Sequence, residues 1–220
     1  MPLKTENLLS LEDCPCAQAF LGLKYPWEIL AKVPALIEEI LLSNPKKYEQ
    51  IAEGVWVGQG TEISDTARFK APVLIGAGCE IWPNAYLRQN TIIGDHAVVG
   101  TASEVKHAIL FNEVKIAHFN YVGDSVLGRG VHLGAGAIIS NFRSLPGTVN
   151  VVIGEEVIET GLRKLGAIMG DGAEVGCNAV LNPGSIIGRG AVVYPLSSFR
   201  GYIPPRTIYK GSGELVPLRD

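Results

Sequence analysis

The feature that most constrains the fold is an aliphatic or aromatic residue at every sixth position, beginning at Val57. The step shortens to five residues at Leu110 and at Leu127. These anchors are Val57, Ile63, Phe69, Ile75, Ile81, Leu87, Ile93, Val99, Val105, Leu110, Ile116, Val122, Leu127, Leu133 and Ile139, and then Met169, Val175, Leu181, Ile187 and Val193. A glycine often follows the anchor.

Neither an α-helix nor an alternating β-hairpin repeats every six residues, whereas a stack of short parallel strands does. Each step places one side chain inward, and successive coils bring equivalent anchors into contact. The repeat therefore predicts a mainly β protein with a parallel β-helix over residues 54–197. The sequence resembles the left-handed hexapeptide-repeat family, and the left hand is what that resemblance implies, because general crossover rules favour the right hand.

Residues 1–53 precede the repeat and form a predicted helical arm or cap. A helix is predicted to begin at Pro26-Trp27-Glu28 and to end near Ser43-Asn44-Pro45. Its apolar stripe consists of Ile29, Leu30, Val33, Leu36, Ile37, Ile40 and Leu41. A second short helix is predicted from Pro45 to Ala52. Packing on the β-helix is the expected role of the stripe, with docking to a membrane or partner as the alternative.

The repeat is lost over residues 142–163 and again after the last anchor. The first interruption contains two β-rich runs around Gly154-Glu155, which predicts a β-hairpin leaving the β-helix. Such excursions often line a binding face in solenoids. The tail, residues 198–220, is expected to be non-repetitive and to lie along a neighbouring subunit or over the last coil.

The charge pattern excludes several classes of partner. Formal net charge is −3 and no block of like charges occurs, so we expect no nucleic-acid partner. No signal peptide or bilayer-spanning run is recognisable, so we expect a cytoplasmic protein without a membrane partner. The spacing of Cys14, Cys16, Cys79 and Cys177 is not that of a zinc site. Reduced structural thiols are expected, with a redox or metal role for Cys14 and Cys16 left open.

Polar residues interrupt the apolar pattern in one region of the repeat. Arg88, Lys106 and His118 are separated by 18 and 12 residues, about three and two six-residue coils, and are predicted to lie on one edge. Tyr121 and Asn141 follow. A lysine and an arginine suit a phosphate group, and a histidine suits general-base work. By contrast, His96 and His107 are predicted to be hydrogen-bonded corner residues, and Gly100, Gly123 and Gly134 turn glycines.

Two segments carry a closer resemblance. AYLRQNTIIGDHAVVGTASEVKHAILFNEVKIAHFNYVGDSVLGRGVHLGAGAIISNF, which includes Arg88 to Asn141, resembles the acetyltransferase domain of bifunctional glucosamine-1-phosphate acetyltransferase/N-acetylglucosamine-1-phosphate uridyltransferase. ETGLRKLGAIMGDGAEVGCNAVLNPGSIIG is similar to the same region of archaeal sugar-1-phosphate nucleotidyltransferases that carry an aminosugar acetyltransferase domain. No nucleotidyltransferase activity is expected, because about 50 helical residues cannot form that domain.

The resemblance implies roles for single residues. Arg88 and Lys106 match positions that bind the sugar phosphate, and His118 matches the general base. Tyr121 matches a residue that orients the sugar, and Asn141 one that faces the substrate and acetyl-CoA. Further matches are Lys164 at a phosphate-binding position, if the excursion is an insertion, Ala135 and Cys177 at the acetyl-CoA site, and His132 where the family has a sugar-binding asparagine.

Two of these positions depart from the family. His132 replaces an asparagine, and Cys177 replaces a serine that supports the oxyanion, which exchanges a good O–H donor for a weak S–H donor. The implied function is CoA-dependent N-acetyl transfer to an aminosugar phosphate such as glucosamine 1-phosphate, without a metal, in a homotrimer. The alternatives are a non-catalytic sugar-phosphate or sugar-nucleotide binding module, an acyltransferase with another donor or acceptor, and a structural trimerisation scaffold.

Overall fold

The computed structural model describes residues 3–12, 14 and 16–219. The helices are α1 (Thr5–Leu8), α2 (Ala17–Phe20), a 3₁₀-helix (Pro26–Lys32) and α3 (Val33–Ser43). The strands are β1 (Tyr48–Ala52), β2 (Val55–Gly58), β3 (Glu62–Ile63), β4 (Arg68–Phe69), β5 (Val73–Ile75), β6 (Glu80–Ile81), β7 (Tyr86–Leu87), β8 (Thr91–Ile93), β9 (Val98–Thr101), β10 (Glu104–Leu110), β11 (Lys115–His118), β12 (Tyr121–Leu127), β13 (His132–Leu133), β14 (Ile138–Ile139), β15 (Asn150–Ile153), β16 (Glu156–Glu159), β17 (Ala167–Met169), β18 (Glu174–Val175), β19 (Val180–Leu181), β20 (Ser185–Ile187), β21 (Val192–Val193), β22 (Ser198–Phe199), β23 (Tyr202–Ile203), β24 (Thr207–Tyr209) and β25 (Leu215–Pro217).

The strands form a parallel β-helix in which three six-residue steps make one coil. Leu87 pairs with Val105, and Ile81 pairs with Val99, so each anchor stacks on the anchor three steps later. We call the side with Leu87 the first side, the side with Ile93 the second and the side with Val99 the third. Anchors from all three sides fill one continuous core. The expected fold class, a mainly β parallel β-helix with an N-terminal helical segment and a β-hairpin excursion, is confirmed.

The five-residue steps fuse the first and second sides into one sheet. β10 pairs with β7 through Val105 and with β8 through Leu110, and β12 follows β10 in the same register. Because each short step lacks one corner residue, the strand runs through the corner without a break. The first and second sides therefore belong to a 14-stranded sheet and the third side to a 9-stranded sheet.

Corner residues, rather than the glycines after the anchors, adopt the left-handed backbone conformation. Asn84 and Asn90, each three residues after an anchor, have φ of 61° and 62°. The prediction of turn glycines at Gly100, Gly123 and Gly134 is wrong, because none of these has a positive φ. They are places where the next coil comes close: a Cβ at Gly100 would lie 1.6 Å from the Ala117 carbonyl oxygen.

The N-terminal arm packs against the second side. Outward residues of that side form an apolar row of Leu74, Ile92, Ile109, Val126, Ile168 and Ile186, and arm residues such as Ile29, Leu30 and Ile37 join them in a second core. The expected packing of the helical stripe is confirmed. The expected single helix from Pro26 is divided into the 3₁₀-helix and α3, because Pro34 has no N–H and its ring excludes a helical carbonyl one turn earlier.

Two other local predictions are wrong. Residues 48–52 form strand β1, antiparallel to β2 around Gly54, instead of the helix predicted from Pro45 to Ala52. The tail is repetitive, since β22, β23 and β24 continue the parallel pairing as far as Tyr209. Only β25 turns back, antiparallel to β24. The anchor spacing after Val193 is irregular, with a four-residue step between Phe199 and Ile203, and this irregularity concealed the last coil.

The excursion contains the expected hairpin, with β15 and β16 antiparallel around Gly154-Glu155. Val149 and Val151 of its first half are buried in the second core. In the described part of the chain, no helix has the length and apolar character needed to cross a membrane.

Candidate active site

Arg88 and Lys106 are neighbours on the first side. Leu87 and Val105 pair directly, and the Arg88 N–H donates to the Val105 carbonyl at 2.7 Å, so the residues that follow them lie on adjacent strands. Adjacent strands are about 4.8 Å apart. The 18-residue separation is therefore one coil rather than the three coils predicted from the sequence. Arg88 and Lys106 are therefore neighbours on the first side, as predicted.

Lys164 joins this pair because both ends of the excursion meet. Phe142 and Lys164 form an antiparallel bridge, and the Leu165 N–H donates to the Asn141 carbonyl at 3.0 Å. The excursion thus leaves and re-enters the β-helix at one point. Burial lowers the pKa of Lys106, and the charges of Lys164 and Arg88 lower it further against the opposing effect of Asp124. Three cationic side chains therefore share one small region.

Tyr121 and Asn141 border the cations. Burial raises the pKa of the Tyr121 hydroxyl, and its hydrogen bond with the Asn141 amide opposes that rise. Both side chains lie over Gly123, where a Cβ would be 2.5 Å from Asn141 Nδ2 and 2.7 Å from Tyr121 Oη. Gly123 also pairs with Lys106 across the strands. The missing side chain at Gly123 thus provides the space in which lysine, tyrosine and asparagine converge.

Asp124 is buried at the centre of this group. Its carboxylate accepts a hydrogen bond from Asn141 Nδ2 and lies 4.0 Å from Lys106 Nζ. Its other oxygen is 2.7 Å from His107 Nδ1, and His107 Nε2 is 3.0 Å from the Leu30 carbonyl. Burial alone would raise the pKa of Asp124, but the hydrogen bonds from His107 and Asn141 lower it overall. His107 is the hydrogen-bonded corner residue that was expected.

Arg88 is held in place but keeps a donor unused. Its Nη1 lies 2.6 Å from Glu104 Oε1, and its guanidinium carbon is 5.8 Å from the centre of the Tyr86 ring. The hydrogen bond that Arg88 donates to Glu104 raises the pKa of Arg88. Among the described residues, nothing pairs with the buried Nε of Arg88.

His118 lies on the third side, so the prediction of one edge with Arg88 and Lys106 is wrong for this residue. It is exposed at the end of β11, pairs with Thr101, and its ring centre is 5.6 Å from that of Trp82. Twelve residues span two sides of one coil and not two whole coils, so His118 lies on a different side from Lys106. Tyr121 begins the first side just past the next corner, so His118 and Tyr121 flank that corner.

His118, Ala135 and Cys177 form a row on the third side. The Gly136 N–H donates to the His118 carbonyl at 2.9 Å, and the Asn178 N–H to the Ala135 carbonyl at 2.9 Å. These residues therefore occupy equivalent positions on successive coils. The assignment of Ala135 and Cys177 to an acetyl-CoA site and of His118 as the base stays a prediction.

His132 is not brought to the cations within one chain. It is exposed in β13, paired with Lys115 and with Glu174 on the neighbouring coils of the third side. Its substrate-binding role stays a prediction that requires a ligand reaching the third side. Among residues 3–12, 14 and 16–219, no three His, Cys, Asp or Glu side chains converge as a metal site requires.

The sequence-based reasoning missed Asp124, Glu104 and Trp82. Asp124 had a detectable signal: like His107, it lies two residues after an anchor, where the step shortens to five. Both have positive φ, 49° at His107 and 47° at Asp124, and so mark the altered corner. Glu104 and Trp82 had no such signal, because their partners, Arg88 and His118, lie on other coils.

Comparison with known proteins was consistent with the expected resemblance. Residues 69–164 match the family model described as the GMPPB C-terminal domain. The bifunctional sugar-1-phosphate nucleotidylyltransferase/acetyltransferase of Sulfurisphaera tokodaii is 36% identical over 174 residues, 77% of this chain and 43% of the relative. The bifunctional protein GlmU of Methanococcus maripaludis is 34% identical over 172 residues, 77% of this chain and 42% of the relative. The predicted resemblance is confirmed.

The chain thus spans about two fifths of the length of these relatives. Among solved structures, a point mutant of AntD, an N-acyltransferase from Bacillus cereus in complex with dTDP and coenzyme A, aligns with a TM-score of 0.43. Identity is 18%, covering 74% of this chain and 84% of that one. A likeness of this size supports no inference about ligands.

Proposed function

We propose that this chain is a CoA-dependent N-acetyltransferase whose acceptor is an aminosugar phosphate of the glucosamine 1-phosphate type. The observation that carries the proposal is the convergence of Arg88, Lys106 and Lys164 beside Tyr121 and Asn141. Relatives with acetyltransferase in their names support the reaction class. Cytoplasmic location and a homotrimer are parts of the same proposal.

The cationic group is suited to a phosphate. Lys106 and Lys164 supply ammonium groups, and Arg88 supplies the charge of its guanidinium, whose Nη1 is paired with Glu104. Burial and, to a smaller extent, the charges of Lys164 and Arg88 lower the pKa of Lys106, and a dianionic phosphate would offset both effects. The phosphate oxygens then fix one end of the acceptor, while the Tyr121 hydroxyl and the Asn141 amide contact the sugar hydroxyls.

His118 is the proposed general base. Its imidazole removes a proton from the 2-amino group while the nitrogen attacks the thioester carbonyl of acetyl-CoA. The C–N bond forms, the C–S bond breaks, and the imidazolium returns the proton to the CoA sulfur. A backbone N–H stabilises the oxyanion, and the thiol of Cys177 contributes less there than a hydroxyl would. A tilted contact with the Trp82 ring, at 5.6 Å between ring centres, helps to orient the His118 ring.

The donor is proposed to lie along the row of His118, Ala135 and Cys177. Ala135 leaves space beside the base, since its side chain is small and the adjacent Gly134 has none. In a homotrimer the third side of one subunit can face the first side of another, which would also bring His132 toward an acceptor. Acetyl-CoA is the proposed donor, and a longer acyl-CoA is the alternative.

A second candidate function is a binding module without turnover. The specific observation that favours it is the replacement of the family's oxyanion-supporting serine by Cys177. In that case the cationic group binds a sugar phosphate or sugar nucleotide, while acetyl-CoA does not bind productively.

Release of free CoA thiol from acetyl-CoA, measured with a panel of aminosugar phosphates, tests the proposal. We expect turnover with one or more of them, and loss of about 10²–10⁴-fold in kcat in His118→Ala, the range for a general base. His96→Ala is the matched control, since His96 is also exposed on this β-helix. Phosphate-dependent acceptor binding without thiol release supports the binding module. Full activity in His118→Ala contradicts the assigned base.

A further inference from the structure

We propose that Asp124 is a positioning residue that fixes Lys106 and Asn141 for the acceptor and, through His107, anchors them to the N-terminal arm. The inference rests on the proposed function for its kinetic consequences. The positions of Lys106, Asn141 and His107 around Asp124 are given by the contacts of the structure and do not depend on that function.

Asp124 is where three separate parts of the fold meet. Its side chain is 6% exposed. It accepts a hydrogen bond from Asn141 on the next coil, contacts His107 on the previous coil and lies 4.0 Å from the Lys106 ammonium. A carboxylate has two oxygens that only accept hydrogen bonds, so it can serve all of these donors together. An amide at this position has a single acceptor oxygen and must lose one of them.

Asn141 depends on this contact for its direction. Its Nδ2 donates to Asp124 and lies on the same side of Gly123 as the Tyr121 hydroxyl, so the carboxylate fixes the orientation of the amide. Without Asp124, the contact with Tyr121 is the remaining constraint on the amide, which can then present either atom to the acceptor. The consequence for a ligand is a less defined sugar position rather than an absent contact.

His107 transmits the arrangement to the arm. Its ring lies between Asp124 at 2.7 Å and the carbonyl of Leu30, in the 3₁₀-helix, at 3.0 Å. The two ring nitrogens therefore face oxygen atoms on two different parts of the fold. Leu30 and its neighbour Ile29 are buried in the second core. The arm therefore packs against the second side and is also hydrogen-bonded to the acceptor site.

Asparagine substitutions test this chain of contacts with little backbone disturbance. Asp124 and His107 have positive φ, a conformation that asparagine tolerates well. His96→Asn is the matched control for His107→Asn, since His96 occupies a corner with φ of 59° and makes no contact with Asp124 among the hydrogen bonds of the described chain.

The kinetic experiment measures acceptor and acetyl-CoA saturation separately with the full chain. In Asp124→Asn we expect kcat/KM for the acceptor to fall about 20-fold, with KM for acetyl-CoA within twofold of wild type. In His107→Asn we expect a fall of about fivefold, and in His96→Asn none. Equal losses for both substrates, or a lower melting temperature with unchanged kinetics, would show that Asp124 is merely structural and overturn the proposal.

Hydrogen–deuterium exchange supplies a readout that does not depend on turnover. Asp124→Asn is expected to speed exchange about tenfold in peptides covering residues 26–43 and 141–149. His107→Asn should do so only in 26–43, and His96→Asn in neither. If the wild-type chain shows no turnover, the proposed function is wrong, but this exchange experiment still tests the contacts of Asp124. Unchanged exchange in both peptides of Asp124→Asn overturns the link.

Discussion

Two outward rows of the same sheet show how one β-helix provides both an attachment surface and a candidate site. On the second side, the residues that precede the anchors are apolar and are covered by the arm. On the first side, the equivalent positions are Arg68, Tyr86, Glu104 and Tyr121, in continuous register. The backbone geometry is the same, so the identity of the outward side chain alone decides whether a side is packed or open.

Strand β10 contains both kinds of position, which allows a direct comparison of stability. Ile109→Ala should reduce the free energy of unfolding by about 2–5 kcal/mol, because it removes a buried side chain under the arm. Glu104→Ala should cost less than about 1 kcal/mol, because its ion pair with Arg88 is partly exposed. Urea denaturation of both variants measures the difference. Similar losses would mean that the two rows are not distinct.

The cationic group of Arg88, Lys106 and Lys164 should affect acceptor binding and not stability. Lys106→Met is expected to raise KM for the aminosugar phosphate about 30-fold, because one of the phosphate-binding charges is lost, while the urea midpoint stays unchanged. Lys70→Met is the matched control, since Lys70 occupies the equivalent position one coil before Arg88 and is exposed. Steady-state kinetics of both variants measure the change in KM for the aminosugar phosphate. An equal effect of the two substitutions would argue for general charge attraction instead of a defined site.

Gly123→Ala tests the space at the centre of the site. The new Cβ would collide with the side-chain ends of Asn141 and Tyr121, which can shift, so we expect about a 10-fold rise in acceptor KM with a folded chain. Gly100→Ala would instead collide with the Ala117 backbone and should destabilise the fold. Kinetics and thermal unfolding of the pair separate these outcomes. Unaltered kinetics in Gly123→Ala would show that the acceptor does not use this space.

The smallest expected effect is a change in the free energy of unfolding at low pH. The pKa of Asp124 is lowered in the folded state, so its stabilising contribution is complete above the ordinary Asp range near pH 4 and is lost as pH falls through the folded value. Asp124→Asn lacks this contribution. The difference in unfolding free energy between wild type and variant should therefore narrow below about pH 4. A difference that stays constant from pH 6 to pH 3 would contradict the lowered pKa.

The repeat made the architecture predictable, because one inward anchor per step permits few alternatives. The arm's position could also have been predicted: Ile92, Ile109 and Val126 are apolar residues next to anchors, and outward apolar rows need a cover. The last coil in the tail could not be predicted, because it contains a four-residue step between anchors. Residue spacing alone placed His118 on the wrong side, because it counted six-residue steps as coils.

The candidate site was partly predictable for a different reason. Arg88, Lys106 and Tyr121 fall at fixed repeat positions, so their proximity follows from register. Lys164 depends on the excursion closing at Phe142, and Asp124 acts through donors from other coils. Such contacts arise only when the coils are stacked, and no local pattern encodes them.

The central claim is that the first side holds the phosphate of the acceptor and the third side holds the base. A crystal structure with glucosamine 1-phosphate and CoA tests it most directly. We predict phosphate oxygens within hydrogen-bond distance of Lys106, Lys164 and Arg88, with the 2-amino group directed toward a His118 imidazole. A phosphate bound elsewhere on the protein would contradict the account.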